Sequence, residues 1–204
     1  MSDWPFDPLM PMKYGAILAD PPWAYAMRSE KGHAKSPEAH YETMDLEAIK
    51  ALPVGRLAGP DCLLFLWSTW PHLEQALSVM RAWGFTYVTG GAWTKRSKSW
   101  RVCFGTGYLY RSATEPWIVG KIGAPKIASR SERNHLQADE FPDLIEGLRR
   151  EHSRKPAEMR ASIERLLPHA HCCELFARES WPCHEVWGNQ VGRFAECSGS
   201  VSCP

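Results

Sequence analysis

The sequence lacks the features that mark membrane, secreted and strongly charged proteins. Its longest unbroken apolar run, residues 62–67, is far shorter than the about 20 residues that a membrane-spanning helix needs. The amino terminus has no basic region followed by an apolar stretch, so we expect no signal peptide. Lys and Arg total 24 against 23 Asp and Glu, which excludes a globally basic nucleic-acid binder and leaves only a local basic patch. These absences predict a cytoplasmic protein that makes no contact with membranes.

Two groups of ligand-binding motifs are also missing. There is no Gly-x-Gly-x-x-Gly or Walker sequence, so dinucleotide and nucleoside triphosphate binding have no support from a motif. The 7 cysteines form no Cys-x-x-Cys pair, and the cysteines and histidines between His169 and His184 lack the spacing of a zinc site. We therefore expect no metal, and we expect these cysteines to be small buried thiols that stay reduced in the cytoplasm.

The composition is that of one globular domain. The chain has 204 residues, of which 44% are apolar and 23% charged. We expect a single domain over residues 1–191 and a flexible tail over 192–204, which is rich in Ser, Gly and Cys. The 10 tryptophans are unusual, and we interpret Trp67, Trp83 and Trp93 as core residues because they lie on predicted helices and strands.

Short apolar runs alternate along the chain with segments of helical periodicity. The runs predict strands at residues 14–19, 62–67, 85–94, 117–119 and 172–177. Helices are predicted from Asp45 to residue 51, over 70–83 between Thr69 and Gly84, near 142–148, and over 156–167. This alternation predicts an α/β fold with a mostly parallel sheet flanked by helices and one hairpin-like region.

Polar side chains follow three of the predicted strands. Asp20 follows the first strand, Ser68 and Thr69 follow the second, and Arg178 follows the last. Ligands of such sheets bind outside the carboxyl ends of the strands. These four residues are therefore candidate site residues.

The tetrapeptide Asp20-Pro21-Pro22-Trp23 is the most informative motif, with a chance occurrence on the order of 10⁻⁴ in a chain of this length. It suits methyl transfer to a planar exocyclic amine, whose lone pair is delocalised into the ring. The Asp20 carboxylate and the Pro21 carbonyl can accept hydrogen bonds from the two N–H groups and return that lone pair to nitrogen. Pro22 fixes Pro21 in an extended conformation, and Trp23 offers a stacking surface worth about 1–3 kcal/mol. The alternative is a rigid turn with a core tryptophan.

A basic segment after the third predicted strand is the candidate nucleic-acid contact. It spans residues 95–101 and combines four cations with one aromatic residue, namely Lys95, Arg96, Lys98, Arg101 and Trp100. Cations suit phosphate contact and the aromatic ring suits base stacking. A solvated loop is the alternative, but the segment follows a strand end, as Asp20 does. A long polar loop over residues 27–42 is expected beside it.

The order of short motifs resembles the MT-A70 family of adenine-N(6) methyltransferases, which includes the catalytic subunit of the eukaryotic mRNA methyltransferase and small bacterial and phage enzymes. The resemblance covers roughly residues 13–191 and is closest to the compact bacterial and phage members. The matching pieces are Ala19-Asp20-Pro21-Pro22-Trp23, His40-Tyr41-x-Thr43-Met44, Leu64-Phe65-Leu66-Trp67, Trp83-Gly84-Phe85, Trp93-x-Lys95, Gly105-Thr106-Gly107-Tyr108, Arg111 with Glu115, His152-Ser153-x-Lys155-Pro156, Ile163-Glu164-Arg165-Leu166, Glu174-Leu175-Phe176-Ala177-Arg178 and Trp187-Gly188-Asn189-Gln190.

The resemblance implies a Rossmann-like fold with permuted motif order, S-adenosyl-L-methionine as cofactor, and a set of site residues. Asp20 is expected to contact the amino group of the cofactor and Lys155 its carboxylate. Tyr41 belongs to a gate over the target base. The remaining cofactor contacts implied are Glu174 and Arg178 at the ribose and Asn189 and Gln190 at the adenine.

Each implied cofactor residue has a structural alternative. Lys155 could be a solvated residue at a helix start, although a cation there opposes the helix dipole. Glu174 lies within an apolar strand and could simply pair with Arg178, and Asn189-Gln190 could be a polar turn. The chain also departs from the family, because Glu179 and Ser180 stand where many members carry His-Asn or a basic pair.

The expected function is methylation of adenine in nucleic acid, with DNA preferred over RNA because the chain carries little beyond the catalytic domain. RNA methylation is the alternative, and a non-catalytic nucleic-acid-binding subunit is another, although the intact Asp20 and Trp23 disfavour it. A third is methylation of another amine or amide, such as cytosine or glutamine, for which Asn usually replaces the Asp of the motif. The resemblance is compatible with a homodimer or a methyltransferase-like partner subunit.

Overall fold

The computed structural model describes the fold around the predicted motifs. The described residues are 4–24, 43–96, 101–105, 109–133, 135–137 and 155–192, with residues 135–137 described by backbone alone. Several predicted features lie outside these residues: the polar loop 27–42 with Tyr41, Lys98 and Trp100 of the basic segment, the helix near 142–148, and residues 193–204 of the tail.

The strands within the described part of the chain form one seven-stranded sheet in the order β5-β3-β4-β2-β1-β6-β7. Their bounds are β1 Tyr14–Ala19, β2 Ala58–Trp67, β3 Thr86–Thr94, β4 Thr114–Ile122, β5 His135–Gln137, β6 Cys172–Leu175 and β7 Glu185–Trp187. Four neighbouring pairs are parallel, and only β4 runs antiparallel to its two neighbours, β2 and β3. The α/β fold with a mostly parallel sheet and a β3–β4 hairpin-like region is therefore confirmed.

Three described helices flank the sheet: α1 Leu46–Ala51, α2 Leu73–Ala82 and α3 Glu158–Leu166. Asp45 caps α1 as predicted, since its carboxylate accepts a hydrogen bond from the N–H of Glu47. After α2, Gly84 has φ +86°, and the N–H groups of Gly84 and Phe85 bond to the carbonyls of Arg81 and Met80, which is a Schellman termination.

The sheet separates two apolar cores, and the interior strand β1 contributes to both. Ile17 and Ala19 face the core that α1 and α2 cover, whereas Ala16 and Leu18 face the core beneath α3. The register places Ile17 beside Leu64 of β2 and beside Cys173 of β6. Because β1 is buried on both faces, the residue that follows it, Asp20, has a fixed position at the carboxyl edge of the sheet.

The structure corrects several predicted bounds. The strand predicted at residues 62–67 begins at Ala58, and residues 70–72 form a 3₁₀ turn before α2. Thr69 does not cap a backbone N–H; its hydroxyl lies 2.8 Å from Nδ1 of His72. The short strands β5 and β7 were not predicted, because runs of three residues show no periodicity.

The tryptophans and cysteines occupy mostly the predicted environments. Trp67 and Trp83 are buried and Trp93 packs against the core, as expected. Cys62, Cys172 and Cys173 are buried free thiols. The expectation of reduced thiols is wrong for Cys183, which is disulfide-bonded. Among the residues that the structure describes, there is no cluster of three metal ligands and no helix with the length and apolarity to cross a membrane.

Candidate active site

An ion pair joins the two residues that the motifs place at the centre of the site. Nζ of Lys155 lies 2.8 Å from Oδ1 and 2.7 Å from Oδ2 of Asp20. Both side chains are largely buried, with 16% and 21% of their surfaces exposed. The N–H of Asp20 also faces the carbonyl of Leu175 at 3.4 Å, which connects the end of β1 to the end of β6. The sequence separates these two residues widely, and the fold brings them into direct contact.

Lys155 is the centre of a row of alternating charges. Its Nζ lies 5.4 Å from the ring centroid of Trp67 and 4.0 Å from Oε2 of Glu115. Glu115 lies 3.1 Å from Nζ of Lys95. Burial favours a higher pKa for Glu115, but the charges of Lys155 and Lys95 outweigh it and hold the pKa below its ordinary value. Glu115, which lies between Lys155 and Lys95 in this row, is therefore ionised at neutral pH.

The antiparallel strand β4 explains how Glu115 reaches this position. The first residues of an antiparallel strand lie at the same edge as the last residues of its parallel neighbours. The N–H of Ser68, after β2, donates a 3.0 Å hydrogen bond to the carbonyl of Pro116, which holds the start of β4 at that edge. Ser68 is buried, so this predicted site residue serves the turn after β2.

The proline pair is held in a compact turn. The N–H of Trp23 donates to the carbonyl of Pro21 at 2.9 Å, and the carbonyl of Pro22 accepts from the N–H of Met44 at 2.9 Å. One lone pair of the Pro21 carbonyl is therefore used within the turn, and a carbonyl oxygen has a second one.

Trp23 is placed in the core beside this turn. Its ring is 6% exposed and lies parallel to that of His72, with centroids 6.0 Å apart. Its indole N–H donates to the carbonyl of Trp67 at 3.2 Å. These contacts fit the alternative interpretation of the motif, in which the tryptophan fixes a rigid turn. Stacking of a base on Trp23 stays a prediction.

Glu174 on β6 faces the same cleft and pairs with a residue that sequence analysis did not single out. Its Oε2 accepts a 2.7 Å hydrogen bond from Nε of Arg160 on α3. Burial raises the pKa of Glu174 to about 7; Arg160 opposes this rise, and the neighbouring charges of Asp20 and Glu179 add to it. Glu174 therefore pairs with Arg160. The pairing with Arg178 that was considered from the sequence is not the one formed.

A cleft at the carboxyl edge of the sheet brings four predicted site residues together. Asp20, Lys155, Glu174 and Arg178 line it. Its other polar lining residues are Arg160 and Glu179, and Trp67 and Phe176 are among its apolar ones. The predicted cofactor residues from β1, β6 and the segment before α3 therefore share one cavity.

Asn189 and Gln190 follow β7 at this edge of the sheet. The N–H of Ala177 bonds to the carbonyl of Trp187 at 2.9 Å, so the chain after β7 lies beside the chain after β6. Gly188 contacts the backbone of Ala177 so closely that a Cβ would lie 2.5 Å from its carbonyl oxygen. Asn189 is exposed and Gln190 partly buried.

The basic segment is only partly as predicted. Lys95 pairs with Glu115 and lies 5.0 Å from the ring centroid of Trp93, so it belongs to the charged row of the site. Arg96 is partly buried and forms a β-bridge with Val102. Arg101 is exposed to solvent, as a phosphate contact requires. A direct phosphate contact by Lys95 would have to compete with Glu115.

Glu115 and Arg160 are the site residues whose contacts sequence analysis missed. Glu115 was visible as part of a family motif and as an acid directly before an apolar strand, but its role depends on the antiparallel pairing of β4. Arg160 lies on α3 next to the buried Met159, and a basic residue beside a core position is a weak signal for a site in the sequence.

A mostly parallel sheet with a paired acid and lysine beside a cleft at its carboxyl edge has a ligand site in the position typical of α/β proteins. The MT-A70 family model matches residues 14–190, so the chain belongs to the MT-A70 family. The expected family and enzyme class are thereby confirmed.

The relatives agree in class and differ in size. The chain is 30% identical to the Mycoplasma protein named type II methyltransferase M.MunI, over 92% of this chain and 83% of that one. It is 32% identical to an Arabidopsis thaliana protein named N(6)-adenosine-methyltransferase MT-A70-like, over 87% of this chain but 24% of that one. It is 29% identical to the human N(6)-adenosine-methyltransferase catalytic subunit METTL3, over 88% and 27%. The chain thus spans most of the bacterial relative and about a quarter of the other two.

Proposed function

We propose that this protein transfers a methyl group from S-adenosyl-L-methionine to the 6-amino group of adenine in nucleic acid, with DNA as the preferred substrate. The observation that carries the proposal is the Asp20–Lys155 ion pair at the carboxyl edge of β1, within the Asp-Pro-Pro-Trp turn and beside the cleft. Bound S-adenosyl-L-methionine would supply a methyl group on a sulfonium sulfur. The residues of the chain would bind and orient it and prepare the amine.

The residues around the cleft fit the charges of this cofactor. Its methionine part carries an ammonium and a carboxylate, which match Asp20 and Lys155, and its ribose hydroxyls match acceptors such as Glu174. Two buried polar atoms near Lys155 have no hydrogen-bond partner among the described residues, namely Nε1 of Trp67 and Oε2 of Glu115. Buried polar groups are normally satisfied, so these two atoms support a polar ligand at this position. Arg178, Asn189 and Gln190 are the further cofactor residues of the proposal.

The turn at Asp20 would prepare the amine for methylation. The adenine amino group donates two hydrogen bonds, one to the Asp20 carboxylate and one to the free lone pair of the Pro21 carbonyl. Both acceptors draw the lone pair of the amine back onto nitrogen. Because Lys155 holds both oxygens of Asp20, the carboxylate keeps one orientation, and fixed alignment supplies a large part of such a reaction's acceleration.

Similarity to a protein named type II methyltransferase supports DNA as the substrate. The chain matches most of the Mycoplasma methyltransferase, whereas the proteins named adenosine methyltransferases are about four times longer than the matched segment. An adenine within a duplex must be flipped out to reach Asp20, at a cost of a few kcal/mol. Arg101 and Lys98, with Tyr41 and Trp100, are the substrate contacts proposed for the opened strand. A homodimer or a methyltransferase-like partner subunit is also part of the proposal.

Digestion of the reaction product to nucleosides, followed by mass spectrometry, tests the function. Purified protein with cofactor is expected to convert adenine to N(6)-methyladenine in duplex DNA faster than in a matched RNA. Asp20→Ala is expected to lose most activity, because an acceptor for the amine and a cofactor contact disappear together. Glu47→Gln, on the exposed face of α1, is the matched control and should act like the parent. Faster methylation of RNA would overturn the DNA preference, and equal turnover by Asp20→Ala would overturn the mechanism.

A further inference from the structure

The loop after β6 departs from the family pattern, and in this chain it is held by an arginine on α3. The guanidinium of Arg160 donates to the carbonyl of Ser180 at 2.9 Å and to the carbonyl of Glu179 at 3.3 Å. Its Nε donates to Oε2 of Glu174, and its Nη1 lies 3.7 Å from Oε1 of Glu179. One side chain thus binds two carboxylates and two carbonyls of β6 and the loop that follows it.

We propose that Arg160 is a positioning residue of the cofactor site, which orients the Glu174 carboxyl group and fixes the Glu179–Ser180 loop, so that Glu174 can accept a hydrogen bond from a cofactor hydroxyl. This inference rests on the function proposed above and adds a residue to it. The side chains of Arg160 and Glu174 are 14% and 12% exposed, so their charges interact with little solvent screening. Arg160 and Glu179 line the cleft together with Glu174.

The charges around Glu174 explain why a cation is needed there. Asp20 approaches from the end of β1 and Glu179 from the loop after β6, and both disfavour a second negative charge. Arg160 is the cation that opposes them from α3, and Lys155 and Arg178 also line the cleft. Burial raises the pKa of Glu174 to about 7 even with Arg160 present. Without Arg160, the carboxyl would be protonated over a larger part of the neutral range.

This arrangement predicts how cofactor affinity depends on pH. An ionised Glu174 is a stronger hydrogen-bond acceptor for the hydroxyl of the cofactor than a protonated one, so affinity should rise as pH increases through about 7. Removal of Arg160 should move the midpoint of this rise to higher pH. A residue that only stabilised the fold would lower affinity equally at every pH.

Calorimetric titration of the full chain with S-adenosyl-L-methionine between pH 6 and 9 tests the proposal. Arg160→Gln is expected to weaken binding about tenfold or more at pH 7, the effect of losing charge-assisted hydrogen bonds, and to recover part of the loss at pH 9. Arg160→Lys keeps the charge and should return the midpoint towards that of the parent. Glu174→Gln should bind weakly and without the rise of affinity through about pH 7, so that the titration of the cofactor's own amino group, at about 7.7–8.0, is the dependence that remains. Arg165→Gln, on the same helix and paired with Glu132, is the control and should match the parent.

The outcomes separate this inference from the proposed function. If the parent does not bind S-adenosyl-L-methionine, both are wrong. If the parent binds it and Arg160→Gln has the parent's affinity, or loses affinity equally at every pH, only the role of Arg160 is overturned. Thermal unfolding of each variant identifies those that fold. If Arg160→Gln does not fold, Glu174→Gln decides the question, because a rise of affinity through about pH 7 in that variant would also overturn the proposal.

Discussion

Lys155 connects three residues of the site. Its ammonium binds both oxygens of Asp20, lies near Glu115, and approaches the face of Trp67. In the absence of cofactor it neutralises two acids that would otherwise repel each other. When a cofactor carboxylate arrives, the same ammonium can bind it without leaving Asp20, because an ammonium has three donors.

Lys155→Met therefore should weaken cofactor binding about tenfold to hundredfold, the effect of one charge-assisted hydrogen bond of about 1.5–3 kcal/mol. Isothermal titration calorimetry with S-adenosyl-L-methionine measures it. Lys50→Met, which breaks an exposed ion pair with Glu47 on α1, is the control. Unchanged affinity in Lys155→Met would remove this residue from the cofactor site.

The sequence predicted those site residues that lie in local motifs. Asp20 and Lys155 belong to short motifs that can be recognised in the sequence. Their proximity agrees with the rule that site residues of such sheets lie at the carboxyl ends of the strands. The contacts of Glu115 depend on the direction of β4, and those of Arg160 depend on which face of α3 packs against β6. No local sequence pattern predicts either of these. The orientation of the Trp23 ring also could not be predicted, because the motif allows the ring to face either the site or the core. In the structure it is buried in the core.

Among the strands and helices, those with a clear apolar pattern were predicted best. The strand at Tyr14–Ala19 and the helix at Leu46–Ala51 agree with their predicted bounds. The strand β7 has three residues and owes its existence to pairing with β6, which is a tertiary effect. The 3₁₀ turn at Trp70–His72 likewise depends on a side-chain contact between Thr69 and His72.

The junction between β6 and β7 provides a test of the adenine-side residues. A methyl group at Gly188 would lie 2.5 Å from the carbonyl oxygen and 2.7 Å from the nitrogen of Ala177, and backbone atoms cannot move aside. Gly188→Ala should separate the two strand ends, lower the free energy of unfolding by about 1–3 kcal/mol, and weaken cofactor binding by displacing Asn189. Urea unfolding and calorimetry measure the two effects.

Gly105→Ala is the control for this change, because the nearest atom to its Cβ would be the carbonyl oxygen of Ser112 at 3.9 Å. If Gly188→Ala loses stability but keeps the cofactor affinity of the parent, Asn189 and Gln190 do not belong to the cofactor site.

At the scale of the whole molecule, the exposed cations should determine how nucleic-acid binding depends on salt concentration. Arg101 is free to meet phosphate, whereas Lys95 is already paired with Glu115. Arg101→Ala should lower the slope of log affinity against log salt by about 0.9 on duplex DNA, the value for one lost phosphate contact. Lys95→Ala should change the slope less and reduce turnover more. Fluorescence anisotropy over a range of salt concentrations measures the slopes, and a parental slope in Arg101→Ala would place the nucleic-acid path elsewhere.

The position of β1 between β2 and β6 has a consequence for biosynthesis. Ala16 pairs with Leu63 on one side and with Cys172 on the other, so β1 gains its second neighbour only when β6, which begins at Cys172, has been synthesised. Such non-local pairing slows folding. On the ribosome, the edge of β1 that later pairs with β6 would stay unpaired for roughly several seconds at usual synthesis rates. An unpaired strand edge is a site of aggregation. Chaperone supply and translation speed should therefore affect the yield of this protein.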